Sequence, residues 1–312
     1  MKFLDSKFLI FFIIIFSLFF IIFVISKIEC SLCKINTFSI KNDKNKSKVK
    51  IVFISDFHNK KYANNYKDLI DKMLDPNPDF IVLGGDFIDF SNYQNRSNKA
   101  LYKNTIDFFN ALGDRFRSIK NDADYELKDI YFVLGNHELR LKSRTDNKEL
   151  VAVYNELMNC LETNDITLLD DKMYNAVDGI TISGLNLYNG YYKSTVSKIS
   201  DLKKLDKETI DYYFDNIDDN NFNVMVFHKP DYCEAFIDNG FDLVLSGHNH
   251  GGLINFPIIG PIFSPEFKLF PKYSLGLYEY NKKHVIVSAG IGEHFIKIRI
   301  NNWPEICVVN ID

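Results

Sequence analysis

The chain has 312 residues, room for one large domain or two small ones, and its 46% apolar content supplies a sizeable core. A formal net charge of −4 and a pI near 6.0 exclude the basic footprint of a nucleic-acid binder. Of the five cysteines only Cys30 and Cys33 are close in sequence, which excludes a disulfide framework and a paired-CxxC zinc site.

Residues 8–25 are Phe, Ile, Leu and Val with one serine and no charge. A run of this length sits at the short end of what spans a bilayer as a helix and exceeds the apolar core of an ordinary signal peptide. No small-x-small cleavage site follows, and Glu29 before Cys30 argues against lipoprotein processing. The expectation is therefore a single-pass, uncleaved membrane anchor over 1–28, with lysines on both flanks leaving its orientation open. Residues 29–48, rich in Lys, Asn and Ser, are expected as a polar tether, and 49–312 as the folded domain.

Within that domain KIVFIS (50–55), FIVLG (80–84), IYFVL (130–134) and NVMVF (223–227) read as buried strands, with weaker strand signals at 167–169 and 180–183. Helical spacing marks 66–74, 101–112, 148–161, 205–214 and 231–238. The tail is strand-rich, at 275–280, 284–288, 296–300 and 305–309. Strands alternating with helices, then strands at the end, predict an α/β fold of two packed sheets. Between 253 and 273, Pro257, Pro261, Pro265 and Pro271 interrupt an apolar stretch and exclude a helix or regular strand. This is a loop that either folds back onto the core or forms an exposed lip toward membrane or an acyl chain.

The chemistry sits where the strands stop. The first strong strand runs into Asp56 and His58, the second into Asp86 with Asp89 three residues on, and the third into Asn136, His137 and Glu138. Residues 223–227 run into His228, and FDLVLSGHNHGG (241–252) ends in His248 and His250. Five of the seven histidines fall at these positions. In α/β sheets functional groups gather at the carboxyl ends of the strands, so neighbouring strands would bring these side chains into one crevice. Carboxylate, amide and imidazole without thiolate make a site suited to manganese, iron or zinc. The ligand count exceeds what one ion needs and fits two ions sharing a carboxylate, an arrangement that hydrolyses phosphoesters. His284 reads as a surface residue and His294 as a turn position that can face substrate.

DxH, GDxxD, GNHE, a lone His and GHxH, in this order from about Val49 onward, resemble the calcineurin-like metallophosphoesterase family. The resemblance implies a two-sheet sandwich flanked by helices. It implies that Asp56, His58 and His250 hold a first divalent metal, that Asp86 bridges, and that Asn136, His228 and His248 hold a second. His137 would protonate the leaving oxygen or steady the phosphate charge, with Asp89 orienting it. The C-terminal segments SGHNHGG, SLGLY and IRINNWPEI are similar to the membrane-associated bacterial branch, which includes UDP-diacylglucosamine pyrophosphohydrolases and related phosphodiesterases. The implied activity is cleavage of a phosphodiester or pyrophosphate in a phosphorylated small molecule or lipid. A phosphomonoesterase or phosphoprotein phosphatase is the alternative, and a non-catalytic membrane scaffold would be expected to have lost ligands that this chain keeps.

Overall fold

The computed structural model describes residues 2–312 apart from 92, 96–98, 121, 188–189, 193–201, 216, 253, 257–259, 262–263, 265, 267–268 and 294–297. The apolar helix α1 (Lys2–Ser31) leads into strand β1 (Lys34–Ile40). Strand–helix units follow: β2 (Val49–Ile54), α2 (Lys67–Leu74), β3 (Phe80–Leu83), α3 (Lys99–Ile119), β4 (Asp129–Phe132), α4 (Asn136–Lys142), α5 (Lys148–Thr163) and β5 (Ile166–Leu168). The second half holds β6 (Lys172–Val177), β7 (Ile180–Gly184), α6 (Lys207–Tyr213), β8 (Phe222–Val226), α7 (Cys233–Asp238) and β9 (Leu243–Ser246). It closes with the two-residue strands β10 (Asn255–Phe256) and β11 (Gly260–Pro261), then β12 (Gly276–Tyr280), β13 (Lys283–Val287) and β14 (Glu305–Ile311).

Among the described residues the longer strands form two six-stranded sheets, ordered β1-β14-β2-β3-β4-β5 and β12-β13-β9-β8-β7-β6. Successive side chains on a strand point to opposite faces, and here each face is apolar. Ile51, Phe53, Phe80 and Val82 of the first sheet pack with Val224, Val226, Leu243 and Leu245 of the second, which forms the layer between the sheets. Their neighbours Val52, Ile54, Ile81, Leu83, Met225 and Val244 instead pack with helix residues such as Leu69, Phe108, Leu157 and Phe236. Each of these large side chains contributes about 1.5–3 kcal/mol by leaving water. The α/β sandwich expected from the pattern is the fold observed. The parallel core strands β2, β3 and β4 of one sheet, and β8 and β9 of the other, end toward the same crevice.

Two expectations need correction. The polar segment over 29–48 is not a free tether. Its residues 34–40 form β1, paired in parallel with β14 from Lys34 opposite Glu305 to Ile40 opposite Ile311. Beyond it Asn45 and Ser47 hydrogen-bond to the carbonyls of Gly179 and Asp178. Strand pairing uses peptide groups, and β14 would otherwise present an open edge, so a polar sequence is recruited that composition alone reads as linker. Within 253–273 a regular strand was excluded, yet β10 and β11 pair antiparallel over two residues each. Two residues need few peptide N–H groups, which is why prolines tolerate so short a ribbon. Of the strand expected over 296–300, residues 296–297 lie outside the described residues, and Ile300 makes only a parallel bridge with Ile254.

Candidate active site

Each strand end turns sharply before presenting its side chain. Asp56, His58, Asp86, His248 and His250 all have positive φ, between 47° and 68°. The left-handed region costs a non-glycine residue about 1–2 kcal/mol, and such strain concentrates at functional sites. Gly85, at φ 88°, lets the β3 loop pass against Gly135, where a Cβ would collide with the Gly135 backbone. The β3 and β4 loops are then locked by one buried side chain. Glu138 accepts the peptide N–H groups of Asp86 (2.9 Å), Phe87 (2.7 Å), Ile88 (2.9 Å) and Gly135 (2.9 Å). Burial and the Asp86 charge push its carboxyl up to about 7, and the peptide donors oppose that shift.

These loops bring three groups of ligand atoms together, each within 4.8 Å: Asp56 with His58 and His250, His58 with Asp86 and His137, and Asp86 with His228 and His248. Asp56 Oδ2 accepts from Ser55 Oγ at 2.5 Å, both of its oxygens accept the His248 peptide N–H at 3.1 Å, and Oδ1 also lies 3.3 Å from His250 Nε2. Asp86 is more sharply divided. Its Oδ1 accepts the His137 peptide N–H at 2.8 Å, and its Oδ2 lies 3.1 Å from His228 Nε2 and 4.0 Å from His58 Nε2. His58 and His250 face each other through their Nε2 atoms at 3.0 Å. Buried Asn136 Oδ1 has no hydrogen-bond partner among the described residues. An amide oxygen left so at the edge of an imidazole–carboxylate cluster is a ligand for a cation, and the donor set as a whole fits divalent metals.

Electrostatics agree with that fit. Burial alone would depress the His228 imidazole, but Asp86 and Asp56 outweigh it and raise its pKa to about 9. Asp86 is held well below the ordinary carboxylate range, against its burial, by His228 and His137. The carboxylates are drawing positive charge into the pocket, and a metal ion supplies it without a proton.

Two histidines are hydrogen-bonded with opposite polarity. His228 Nδ1 lies 2.7 Å from the Gly84 carbonyl, which only accepts, so Nδ1 keeps its proton, and the Nε2 proton, held 3.1 Å from Asp86 Oδ2, is the one a metal ion would displace. His137 Nδ1 lies 2.8 Å from the Phe90 peptide nitrogen, which only donates, so its Nε2 carries the proton. That Nε2 is 4.0 Å from Asp86 Oδ2. Burial pushes the His137 imidazole down to about 3, against the pull of Asp86, and keeps it neutral. His137 Nδ1 thus has the Phe90 backbone as a partner, while Asp89, one residue earlier, accepts from Ser91 and adds its charge near the imidazole.

A pocket of about 210 Å³ opens over these ligands, and Ser91, Arg140, Tyr192 and Glu266 complete its wall. None of the four was among the site residues expected from sequence. Arg140 was findable, since it lies three residues after His137 and therefore on the same face of a helix. Glu266 carries no local signal. It comes from the proline-rich loop, folds back to 3.3 Å from His248 Nε2, and pairs at 3.0 Å with Lys229, a fully buried ammonium. Burial would raise the Glu266 pKa, but His248 and Lys229 hold it well below the usual range. Of the two alternatives for the loop, Glu266 returns to the site, while Phe256, Leu269 and Phe270 are exposed. His284 is half-buried on β13, and His294 lies outside the described residues.

The sequence has relatives among known proteins. The metallophosphoesterase YkuE of Bacillus subtilis is 26% identical over 84% of this chain and 78% of its own length. The phosphodiesterase YaeI of Escherichia coli is 24% identical over 86% and 83%. The UDP-2,3-diacylglucosamine pyrophosphatase LpxG of Chlamydia muridarum is 27% identical over 84% and 83%. The pattern of the calcineurin-like phosphoesterase family matches residues 49–252, from the first residue of β2 to the glycine after His250 and Gly251. All five motif-bearing strand ends fall inside that span and meet in one pocket, and the chain belongs to the calcineurin-like phosphoesterases, as a metal-dependent phosphoesterase.

Proposed function

We propose that this chain is a membrane-tethered phosphohydrolase with two divalent ions, manganese foremost, that cleaves a phosphodiester or pyrophosphate bond in a lipid-linked substrate. The observation that carries the reading is the opposite polarity of His228 and His137. His228 spends its Nδ1–H on a backbone carbonyl and aims Nε2 at Asp86, whereas His137 spends Nδ1 on a peptide N–H and turns its Nε2–H into the pocket. The first would be a ligand once a metal displaces its Nε2 proton, and the second a donor to substrate. Asp56, His58 and His250 would hold one ion, Asn136, His228 and His248 the other, with Asp86 between them. When bound, the ions supply charge neutralisation for the phosphoryl group and acidify the attacking water.

The protein's own groups do the rest. The neutral His137 Nε2–H steadies charge on the phosphoryl group as it develops, a fixed donor in a water-poor pocket. Arg140 lines the pocket, and its guanidinium makes no hydrogen bond or ion pair among the described residues. A second anionic group beside the scissile one, as in a pyrophosphate, would give it a bidentate partner. The names of YaeI and LpxG, a phosphodiesterase and a pyrophosphatase of a lipid precursor, support the same bond types.

Retention of α1 is supported by its last turn, which is built into the domain. Ser26 Oγ accepts from the Arg299 peptide at 3.0 Å, and Glu29 accepts from those of Asn301 and Asn302 at 3.0 and 3.2 Å. The helix carries a 24-residue stretch, Phe8–Ser31, long and apolar enough to cross a membrane. The test uses full-length protein stripped of metal and given bis-(p-nitrophenyl) phosphate, p-nitrophenyl phosphate or a diphosphate-linked glycolipid, with manganese, iron, zinc or none. Metal-restored cleavage of diester and diphosphate is the expected result. Preference for the monoester overturns the reading in favour of a phosphomonoesterase.

A further inference from the structure

A second cleft, of about 430 Å³, lies away from the catalytic pocket, between the base of α1 and the loop after β2. Its size is that of a small-ligand site. Four lysines line it, Lys27, Lys60, Lys61 and Lys72, against two acids, Asp68 and Glu293. The lysines divide into two kinds. Lys60 and Lys72 serve the fold: Lys60 Nζ donates to the carbonyls of Cys30 (2.8 Å) and Ile291 (3.2 Å), and Lys72 Nζ to that of Cys33 (3.1 Å). Lys27 and Lys61 make no hydrogen bond or ion pair among the described residues, and both are exposed. Leu32, Leu69 and Tyr62 supply an apolar floor below the amines.

Position says what the cleft meets. The uncharged run of α1 ends at Ile25, and Lys27 follows within half a turn. With that run in the hydrocarbon, Lys27 lies at the depth of lipid headgroups. The cleft lies at the same depth because the last turn of α1 is fixed to the domain through Ser26 and Glu29 and through the Cys30 carbonyl on Lys60. Ile28, on the same turn of α1, is exposed, as is Leu32 at the wall of the cleft. Lysines just beyond a membrane span attract anionic lipid. Here two of them stand over a cavity with an apolar floor.

We propose that this cleft binds the phosphate group of an anionic phospholipid, with Lys27 and Lys61 as its cationic partners and Leu32, Leu69 and Tyr62 against the glycerol. The inference rests on α1 being a retained anchor, as in the proposed function. The occupant would press on the turn behind Lys60, where Tyr62 Oη also donates to the Ile291 carbonyl and the Gly292 peptide donates to that of Asp56.

The test is native mass spectrometry of the delipidated full chain in detergent, offered phosphatidylglycerol, phosphatidylcholine or inorganic phosphate. Wild type is compared with Lys27→Gln/Lys61→Gln and with Lys103→Gln/Lys207→Gln, two exposed lysines on α3 and α6. Wild type should retain one phosphatidylglycerol about tenfold over phosphatidylcholine, the first double variant should lose that preference and the second keep it. Equal retention of the two lipids by wild type, or undiminished preference in Lys27→Gln/Lys61→Gln, overturns the proposal. Displacement of the lipid by equimolar inorganic phosphate overturns the lipid assignment and makes the cleft a soluble-phosphate site. Alkaline carbonate extraction reads the anchor separately. A chain that leaves the membrane refutes anchoring, whereas one that stays but shows no lipid preference refutes only the cleft.

Discussion

The catalytic pocket and the base of α1 both bury carboxylates and treat them in opposite ways. In the pocket Asp86 gives one oxygen to a peptide donor and turns the other toward imidazole nitrogens, and Asp56, though both its oxygens share the His248 peptide, turns Oδ1 toward His250 as well. At the helix base Glu29 gives both oxygens to peptide N–H groups, and Glu305 accepts from the Ala289 peptide at 2.7 Å. Arg299 completes that region by donating to the carbonyls of Ala289 and Gly292. A carboxylate saturated by peptide donors braces backbone, and one facing lone pairs asks for a cation. Glu138 shows that location does not decide the matter, because it sits beneath the metal cluster and is still a brace.

The comparison is broken most directly at Asp86. Asp86→Ala removes a carboxylate that lies among His58, His137, His228 and His248, so diester hydrolysis should fall at least about a thousandfold, ~4 kcal/mol in barrier. Metal content, read by elemental analysis, should fall with it, while the far-ultraviolet circular dichroism stays native. Glu138→Gln should do the reverse in kind. Its amide group would point a donor at peptide donors, which costs about 3–4 kcal/mol of stability and lowers the melting temperature by about 10 °C. If Glu138→Gln instead lost metal at unchanged melting temperature, the distinction between brace and ligand would be wrong.

His137 sharpens the picture within the pocket. A neutral imidazole that donates a hydrogen bond to the phosphoryl group should be missed about equally by every substrate, so His137→Ala should lower kcat about 10²–10³-fold for p-nitrophenyl and alkyl leaving groups alike. A much larger loss with the alkyl leaving group would make His137 a proton donor instead.

How far the sequence speaks follows from the same physics. The residues that the motifs marked as candidate ligands come together at the strand ends, because such groups sit where apolar strands stop and both signals are local. The two-sheet core was equally legible, since strands such as Val49–Ile54 are apolar on both faces. What local pattern could not show is pairing by peptide groups and contacts over long separations. β1 looks like linker because its partner, β14, lies at the other end of the chain. Glu266 reaches His248 from a loop whose composition announces only prolines, and Lys229 is buried because Glu266 and Asp231 are there to meet it.

The mildest perturbation belongs at the base of α1, and it tests whether the two regions are separable at all. Glu29→Gln keeps one acceptor oxygen, so one of the peptide groups of Asn301 and Asn302 loses its partner. The cost is about 1–1.5 kcal/mol, which hydrogen exchange should report as an approximately tenfold faster rate at those two amides. The pocket is nevertheless only one residue away, since the Asn302 side chain donates to the His250 carbonyl at 2.7 Å and to that of Gly252. His250 itself is fixed by its left-handed backbone and by its neighbours Asp56 and His58, none of which depends on Glu29. Diester hydrolysis by full-length Glu29→Gln should therefore stay within about twofold of wild type even as the amides open. A loss of activity parallel to the gain in exchange would mean that α1 helps to hold His250 in place, and that the base of that helix and the catalytic pocket are one mechanical unit.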